Sequence, residues 1–337
     1  MRIAIHPDHT RVLGDTEQSF SDVWFSVARE RGYDAVAIDA YAPSAAQDLR
    51  AYDAFMWRFA GHDTSAYAGR FMLAIHQAYG IKTFPEPQHL WHMSDKSSGQ
   101  YLLEAAGVPT PKTWSFFNKE QALGFLDEAS YPLVIKLSGT AGQSVNVGLV
   151  RSKNEGRRLV NVIFSCGIKE LWQASGSFPR ILARHLRYII SQWNGRKARH
   201  GALIRGSCVF QEYVPGCNFD LRATVIGPRV IPYKRWNRPN DFRASGSGAV
   251  EYCPSEFSEG LAHKVLEFSR KLGMQFVTFD ILMREGAPLV IELNYNYVAR
   301  IPNESPGYWL MRHGEMSWVH QSPQVERATL DEFVESN

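Results

Sequence analysis

Residues 1–90 alternate short apolar runs with stretches of helical spacing. RIAIHPD reads as a buried strand entering a turn and residues 18–31 as a helix. DAVAID and YDAFMWR read as two further strands, 65–79 as a second helix and IKTFPEP as a fourth strand. Strands separated by helices predict a parallel sheet with crossover helices, an α/β arrangement. Ser94-Asp95 then caps a helix running to Ala106, closed by Gly107 and the pair Pro109 and Pro111. From Pro132 onward the chain is mostly strands and hairpins, interrupted by a helical stretch at about 155–195, so an α+β part follows the α/β part. The residues from about Gln321 are polar and acidic and read as peripheral. Residues 316–337 are set apart as a tail.

At 337 residues the chain is long for a single core, and two or three domains are expected. Apolar residues make up 45% and charged residues 21%, ordinary for a globular protein. A formal charge of +3 gives no reason to expect a nucleic-acid partner. The four cysteines (Cys166, Cys208, Cys217, Cys253) form no Cys-x-x-Cys pair and read as scattered reduced thiols rather than a disulfide framework or zinc site. MRIAIHPD lacks the basic region and long apolar stretch of a signal peptide, and no run of about 18 apolar residues could span a membrane. A cytoplasmic protein is expected.

The most informative chemistry lies in one hairpin. FVTFDIL (276–282) turns back at Arg284-Glu285-Gly286 into PLVIELN (288–294). Folding it about Gly286 sets Asp280 opposite Glu292, and Asn294, two residues on, shares the face of Glu292. Two carboxylates directly across a strand pair repel each other, so a cation is expected beside them. Carboxylate, carboxylate and amide carbonyl are oxygen-only donors, which suit Mg²⁺ with water and phosphate oxygens completing its shell. The plain alternative is a solvated outer face of an antiparallel hairpin.

Further candidates lie upstream. The apolar strand YPLVIKL delivers Lys136 beside SGTAGQSVNVG (138–148), whose glycines leave backbone N–H groups free to face phosphate oxygens. No Gly-Lys-Ser/Thr follows, so this is not a Walker A loop, and the first strand-to-helix turn has no dinucleotide fingerprint. In 209–236 a strand ends at Gln211-Glu212, Tyr213-Val214-Pro215 connect, and DLRATVIG pairs with RVIPYKRW across Gly227-Pro228. Asp220 and Arg222 share one face, Lys234 lies on the returning strand, and Arg243 sits in a glycine-containing loop. Each residue alone could be a solvated strand position. Basic residues flanking a carboxylate cluster are the mixture that a magnesium triphosphate needs.

In this order the pieces resemble the ATP-grasp superfamily, nearest to carboxylate–amine ligases of the RimK and glutathione-synthetase type. The resemblance runs over about 220 residues: Asp95-Lys96 with the helix ending Gly107-Val108-Pro109; Lys136 and its loop; Gln211-Glu212-Tyr213-Val214; Asp220-Leu221-Arg222; Asp241-Phe242-Arg243; and Asp280 with Glu292-x-Asn294. It implies a pre-ATP-grasp α/β domain at 1–92, an N-lobe at 93–205 and a C-lobe at 206–315, with ATP between the lobes. It further implies that Lys96 and Lys136 hold ATP phosphates under the loop Gly139, Thr140, Gly142, Gln143 and Ser144. Gln211, Glu212, Tyr213 and Val214 would bracket adenine, and Asp220 would face the ribose or orient Arg222. Arg222, Lys234 and Arg243 would face the transferring phosphoryl, and Asp280, Glu292 and Asn294 would bind two Mg²⁺. The implied reaction converts a small-molecule or peptide carboxylate to an acyl phosphate that an amine then attacks. A surface-polysaccharide or peptide-tailoring pathway is the expected setting. A hydroxyl kinase and a non-catalytic nucleotide-binding partner protein are the rival classes.

The chain departs from the family in three places. One extra residue between Gly216 and Asp220 leaves Asn218 as an alternative ribose contact. Tyr295-Asn296-Tyr297 replaces the usual small residue, proline and glycine after Asn294, which reshapes the acceptor side. Residues 155–205 are longer and more basic than usual. From Lys169 to Arg205 there are eight Lys/Arg against one acid, Glu170. As a helix, Leu182, Leu186, Ile189, Ile190 and Trp193 form an apolar stripe to be buried on the lobe or a second subunit of a homodimer, opposite Arg180, Arg184 and Arg187. That basic face reads either as solvated surface or as a docking site for an anionic acceptor. His6 and His9 flank the first turn and could touch substrate. Arg58, ending the strand that faces the active site in RimK-like relatives, is a candidate for a substrate carboxylate.

Overall fold

The computed structural model describes residues 1–8, 19–58, 65–92, 95–137, 146–165, 167–168, 204–252 and 255–336. Within them the chain forms two compact units. One comprises 1–91, 106–108 and 218–337, the other 92–105 and 109–217.

The chain opens with four parallel strands, β1 (Arg2–Ile5), β2 (Asp34–Ala37), β3 (Ala54–Met56) and β4 (Lys82–Phe84), in the order β2-β1-β3-β4. Ile3, Ala4 and Ile5 are all fully buried, as expected of a central strand covered on both faces. Helix α1 (Phe20–Glu30) starts at Ser19, whose hydroxyl accepts from the Asp22 amide, and it buries Phe20, Trp24, Val27 and Ala28. Helix α2 (Ser65–Tyr79) leads into β4. This is the α/β pattern expected of residues 1–90.

The second unit holds α3 (Lys96–Ala105), β5 (Thr113–Phe116), α4 (Lys119–Glu128), β6 (Leu133–Lys136), β7 (Val147–Val150), α5 (Lys153–Ser165) and β8 (Cys208–Glu212). Its sheet runs β5-β8-β6-β7, and every pairing is antiparallel. Leu126, Leu133, Ile135, Val160, Ile163 and Phe210 fill the core beneath it. Helix α5 is therefore part of this core and not the start of an added element. The loop 138–145 and the basic stretch 169–203, with Arg180, Arg184 and Arg187, lie outside the described residues.

The chain then returns to the first unit with β9 (Phe219–Ile226), β10 (Arg229–Trp236), β11 (Val250–Tyr252), α6 (Glu259–Lys271), β12 (Phe276–Arg284), β13 (Ala287–Asn294), β14 (Tyr308–Arg312), β15 (Glu315–Val319) and α7 (Val325–Glu335). The sheet order is β13-β12-β9-β10-β14-β15, with β11 also paired to β10. Among the described residues no helix is long and apolar enough to cross a membrane.

The tail is not peripheral. Val325, Leu330 and Phe333 of α7 are fully buried in one core with Ile3, Trp24 and Phe84 of the N-terminal layer and Ile226, Ile231 and Phe276 of the large sheet. Phe84 meets Phe276 and Phe333 edge-on, with ring centroids 5.1 and 6.2 Å apart. The Trp24 indole donates to the Glu326 carbonyl at 3.1 Å, and Arg31 grips Asp331 with two hydrogen bonds. Of the acids of α7 only Glu335 is exposed. Glu326 is buried and accepts from the Asn303 side-chain amide at 2.8 Å, and the partly buried Asp331 and Glu332 pair with Arg31 and Arg229, so the helix joins the α/β segment to the large sheet. Phe333→Ala is accordingly expected to cost about 3–5 kcal/mol, read as a lowered urea midpoint at constant slope.

Candidate active site

The hairpin β12–β13 carries the predicted carboxylate pair. Its turn is a tight two-residue one, Glu285-Gly286, with both residues at positive φ (51° and 79°). Next to the turn Arg284 pairs with Ala287 and Ile281 with Val290. Beyond a β-bulge, Asp280 pairs with Glu292 and Thr278 with Asn294, leaving Ile291 as the extra residue. The turn thus centres half a residue earlier than a fold about Gly286 would have it, and the bulge restores the match. Without it Asp280 would stand opposite Ile291, and Glu292 would project from the other face of the sheet.

Facing residues across antiparallel strands share a face, so the register assigns the rest. Asp280 pairs with Arg222, Arg222 with Tyr233, and Asp220 with Arg235. All five, with Glu292 and Asn294, lie on one face. Arg222 donates Nε to Asp280 Oδ1 at 2.5 Å and Nη2 to Oδ2 at 2.9 Å. Arg235 bonds Asp220 through Nε (2.8 Å) and Nη2 (2.6 Å), and Nη2 also reaches Asp280 Oδ2 at 2.8 Å. The row Arg222–Asp280–Arg235–Asp220 alternates in sign and is neutral as a set. Burial by itself would raise the Asp280 pKa, but the guanidiniums of Arg222 and then Arg235 overcome it and hold the carboxyl well below the usual range. The cation expected beside this carboxylate is thus supplied first by the protein itself. Three of its roughly four lone-pair positions are used, which leaves one on Oδ1.

Arg235 is the residue that sequence reasoning missed. Counting outward from the Gly227-Pro228 turn puts Arg235, not Lys234, opposite Asp220. Lys234 falls one residue out of phase, on the opposite face. There its ammonium bonds Glu251 (3.1 Å) and Glu256 (2.6 Å) and lies over the rings of Phe219 and Trp236, 4.7 and 4.8 Å from their centres. The structure does not bring Lys234 to Arg222. Arg243 is forked onto Asp241, Nε to Oδ1 at 2.9 Å and Nη2 to Oδ2 at 2.6 Å. Asp220 has both carboxylate oxygens on Arg235, which fits orientation of the charged row rather than an open ribose contact. The Asn218 carbonyl accepts from the Asn237 amide.

In the second unit, Lys136 is the last residue of β6 and is 7% exposed. Val134 pairs with Gln211 and Lys136 with Val209, so Gln211 shares the face of Lys136, while Glu212, opposite Leu133, projects from the other. Gln211 donates to the Thr113 hydroxyl at 2.9 Å, and Glu212 accepts from the Lys112 amide at 3.3 Å. Tyr213 and Val214 follow the strand, with Val214 buried. Lys96 opens α3, where the Asp95 carboxylate caps the Ser97 amide and the Ser98 hydroxyl. Gly139, Thr140, Gly142, Gln143 and Ser144 lie outside the described residues. Among the described residues no group of three or more His, Cys, Asp or Glu side chains could hold a metal, and Cys208 and Cys217 are free thiols. A site here would combine two carboxylates with an amide.

Removing Arg235 would leave Asp220 buried without its charge partner. Arg235→Met is expected to cost about 3–5 kcal/mol, and Asp220→Asn added to it should recover part of that loss. Urea denaturation of the two single variants and the double variant measures this coupling.

No family model matches the chain. A phosphoribosylamine–glycine ligase from Fusobacterium nucleatum is 41% identical over 61 residues, a stretch that spans 18% of this chain and 14% of that protein. Among solved structures, a RimK domain ATP-grasp protein from Sphaerobacter thermophilus superposes with a TM-score of 0.56 at 16% identity, covering 99% of this chain and 100% of its own. D-alanine–D-alanine ligase from Bacillus anthracis, complexed with ATP, superposes with a TM-score of 0.51 at 16% identity, over 88% of this chain and 86% of its own. With the sheet orders of the two units already described, these likenesses establish that the chain has the ATP-grasp fold.

Proposed function

We propose that this protein is an ATP-dependent carboxylate–amine ligase acting on a small-molecule or peptide acid. The observation that carries the reading is the bulged hairpin, which sets Asp280, Glu292 and Asn294 on one face beside the buried Arg235 and the partly buried Arg222. An all-oxygen donor set with a free lone pair on Asp280 Oδ1 fits Mg²⁺. Asp280, Glu292 and Asn294 would hold the metal, which when bound neutralises charge on the nucleotide phosphates. One ion or two is equally compatible with this set.

The chain's own groups supply the rest. Arg222 is tied to Asp280 and keeps a fixed positive charge on the same face, suited to the charge that builds on a phosphoryl group in transfer. Lys136, a nearly buried ammonium at a strand end, is suited to a phosphate oxygen, and Gln211 on the same face offers amide hydrogen-bonding groups. Amide formation needs this apparatus because a carboxylate is not attacked by an amine. Moving the γ-phosphoryl onto its oxygen creates an acyl phosphate, and the amine then displaces phosphate. Both the ligase and the D-alanine–D-alanine ligase among the compared proteins carry names of this reaction class.

The test is a screen of carboxylates paired with amines for coupled ADP release, with amide and free phosphate as products. A phosphorylated hydroxyl acceptor in their place would assign the protein to the kinases. Glu292→Gln should keep the fold and lower turnover by about two orders of magnitude; undiminished turnover would remove Glu292 from the metal site. Lys136→Ala should weaken binding of a non-hydrolysable ATP analogue about 10- to 100-fold, the loss of one charge-assisted hydrogen bond. Calorimetric titration decides, and equal affinities would make Lys136 a structural edge lysine.

A further inference from the structure

Arg58 follows β3 and Asp8 follows β1, the two neighbouring strands between which the order β2-β1-β3-β4 changes direction. Open parallel sheets bind ligands at such a point, and a substrate carboxylate is the partner that the family resemblance gives to Arg58. The structure gives the guanidinium other partners. Nη2 donates to Asn296 Oδ1 at 2.9 Å and to the Tyr297 carbonyl at 2.6 Å. Nη1 lies 3.5 Å from Asp8 Oδ2, and the guanidinium carbon sits 4.1 Å from the centre of the Phe20 ring. Arg58 and Asp8 are each 7% exposed. Asp8 is itself fixed at the start of α1, where it accepts from the Ser21 amide at 2.8 Å and the Ser19 hydroxyl at 3.1 Å.

The segment that Arg58 holds begins immediately after Asn294. The Asn296 amide donates to Asn294 Oδ1 at 3.2 Å, which orients the side-chain amide of the third donor in the set. Both protons of Arg58 Nη2 are used by this segment. A substrate carboxylate binding Nη2 would have to displace a carbonyl and an amide oxygen and leave them without their donor, at a cost comparable to what it gained, and Nη1 already faces Asp8 Oδ2 at 3.5 Å.

From these contacts we infer that Arg58 is a positioning residue: it ties the Tyr295-Asn296-Tyr297 segment to the β1–β3 edge and so fixes Asn294 for the metal, rather than binding the substrate acid. The inference rests on the magnesium–nucleotide reading of the hairpin. It explains why the segment departs from a small residue, proline and glycine, since Asn296 supplies both the acceptor for Arg58 and the donor to Asn294. It also calls for arginine in particular, because a lysine ammonium lacks the planar fork that meets two fixed acceptors at once.

The test titrates Mg²⁺ against binding of a non-hydrolysable ATP analogue in the full-length chain, followed by calorimetry, for wild type, Arg58→Lys, Arg58→Gln and Asn296→Leu. Groups that orient a metal ligand typically affect metal affinity about 10- to 100-fold when removed. The Mg²⁺ concentration for half-maximal binding should therefore rise at least about 10-fold in all three variants, with affinity for the metal-free analogue unchanged. A merely structural role would lower the melting temperature and leave that midpoint in place. Should the Arg58 variants fail to fold, Asn296→Leu, at a half-buried position, decides. A magnesium-dependent wild type with variants at the same midpoint overturns the inference alone. A wild type that binds the analogue without any magnesium dependence overturns the underlying reading, and the inference with it.

Discussion

Asp280 is held by three strands at once, and much of the first unit is arranged around that fact. Its own strand β12 is flanked by β9, which brings Arg222, and by β13, which brings Glu292, while Arg235 reaches it from β10. A carboxylate 5% exposed would not stay ionised without such partners. Because its two arginines are in turn balanced by Asp220 and Asp280, the row leaves no net charge to bury. A neutral alternating row tolerates burial, whereas loss of any one member leaves an uncompensated ion. Beyond the row, Glu292 adds negative charge on the same face.

The opposite end of that face is apolar. Ile226, Ile231 and Phe276 continue the same alternation as Arg222, Arg235 and Asp280 and pack against Trp24, Phe84 and Phe333. One face of one sheet therefore anchors the N-terminal layer and α7 at one end and presents charged groups at the other. Arg58 bridges the two, since it belongs to the N-terminal layer and bonds the segment leaving the charged end. Disturbance of α7 or of β3 would thus reach Asn294 through packed groups and not through distant electrostatics.

Most elements were legible from periodicity. Helices at 18–31 and 65–79 and the strands around them appear within a few residues of their expected bounds, because α/β segments declare themselves by local pattern. The carboxylate pair was also legible, though for an incomplete reason. Counting from Gly286 reached the right partner only because the error in the turn centre equals the one residue absorbed at Ile291. Lys234 shows the opposite case. Its charge made it the conspicuous choice in YKRW, yet one position of phase sends it to Glu251 and Glu256 and gives the place beside Asp220 to Arg235. The acidic tail misled because composition counts its charges and not their partners, whereas the spacing of Val325, Leu330 and Phe333 marks a buried side and Asp331 and Glu332 pair with Arg31 and Arg229.

By itself the sequence determined the local pattern: which segments are helices and strands, where the tight turns fall, and that two carboxylates and an amide recur at alternating positions on one hairpin. Those are matters of neighbouring residues and side-chain period, which short stretches carry within themselves. Only the tertiary structure decided which charges meet. Whether Asp280 faces Glu292 hangs on a single bulge, whether it meets Arg235 hangs on the register of a different hairpin, and whether Arg58 is open to substrate or spent on Asn296 hangs on a contact 238 residues away in the chain. Each is a choice between faces or partners that local sequence leaves evenly balanced, and burial of the whole sheet settles it.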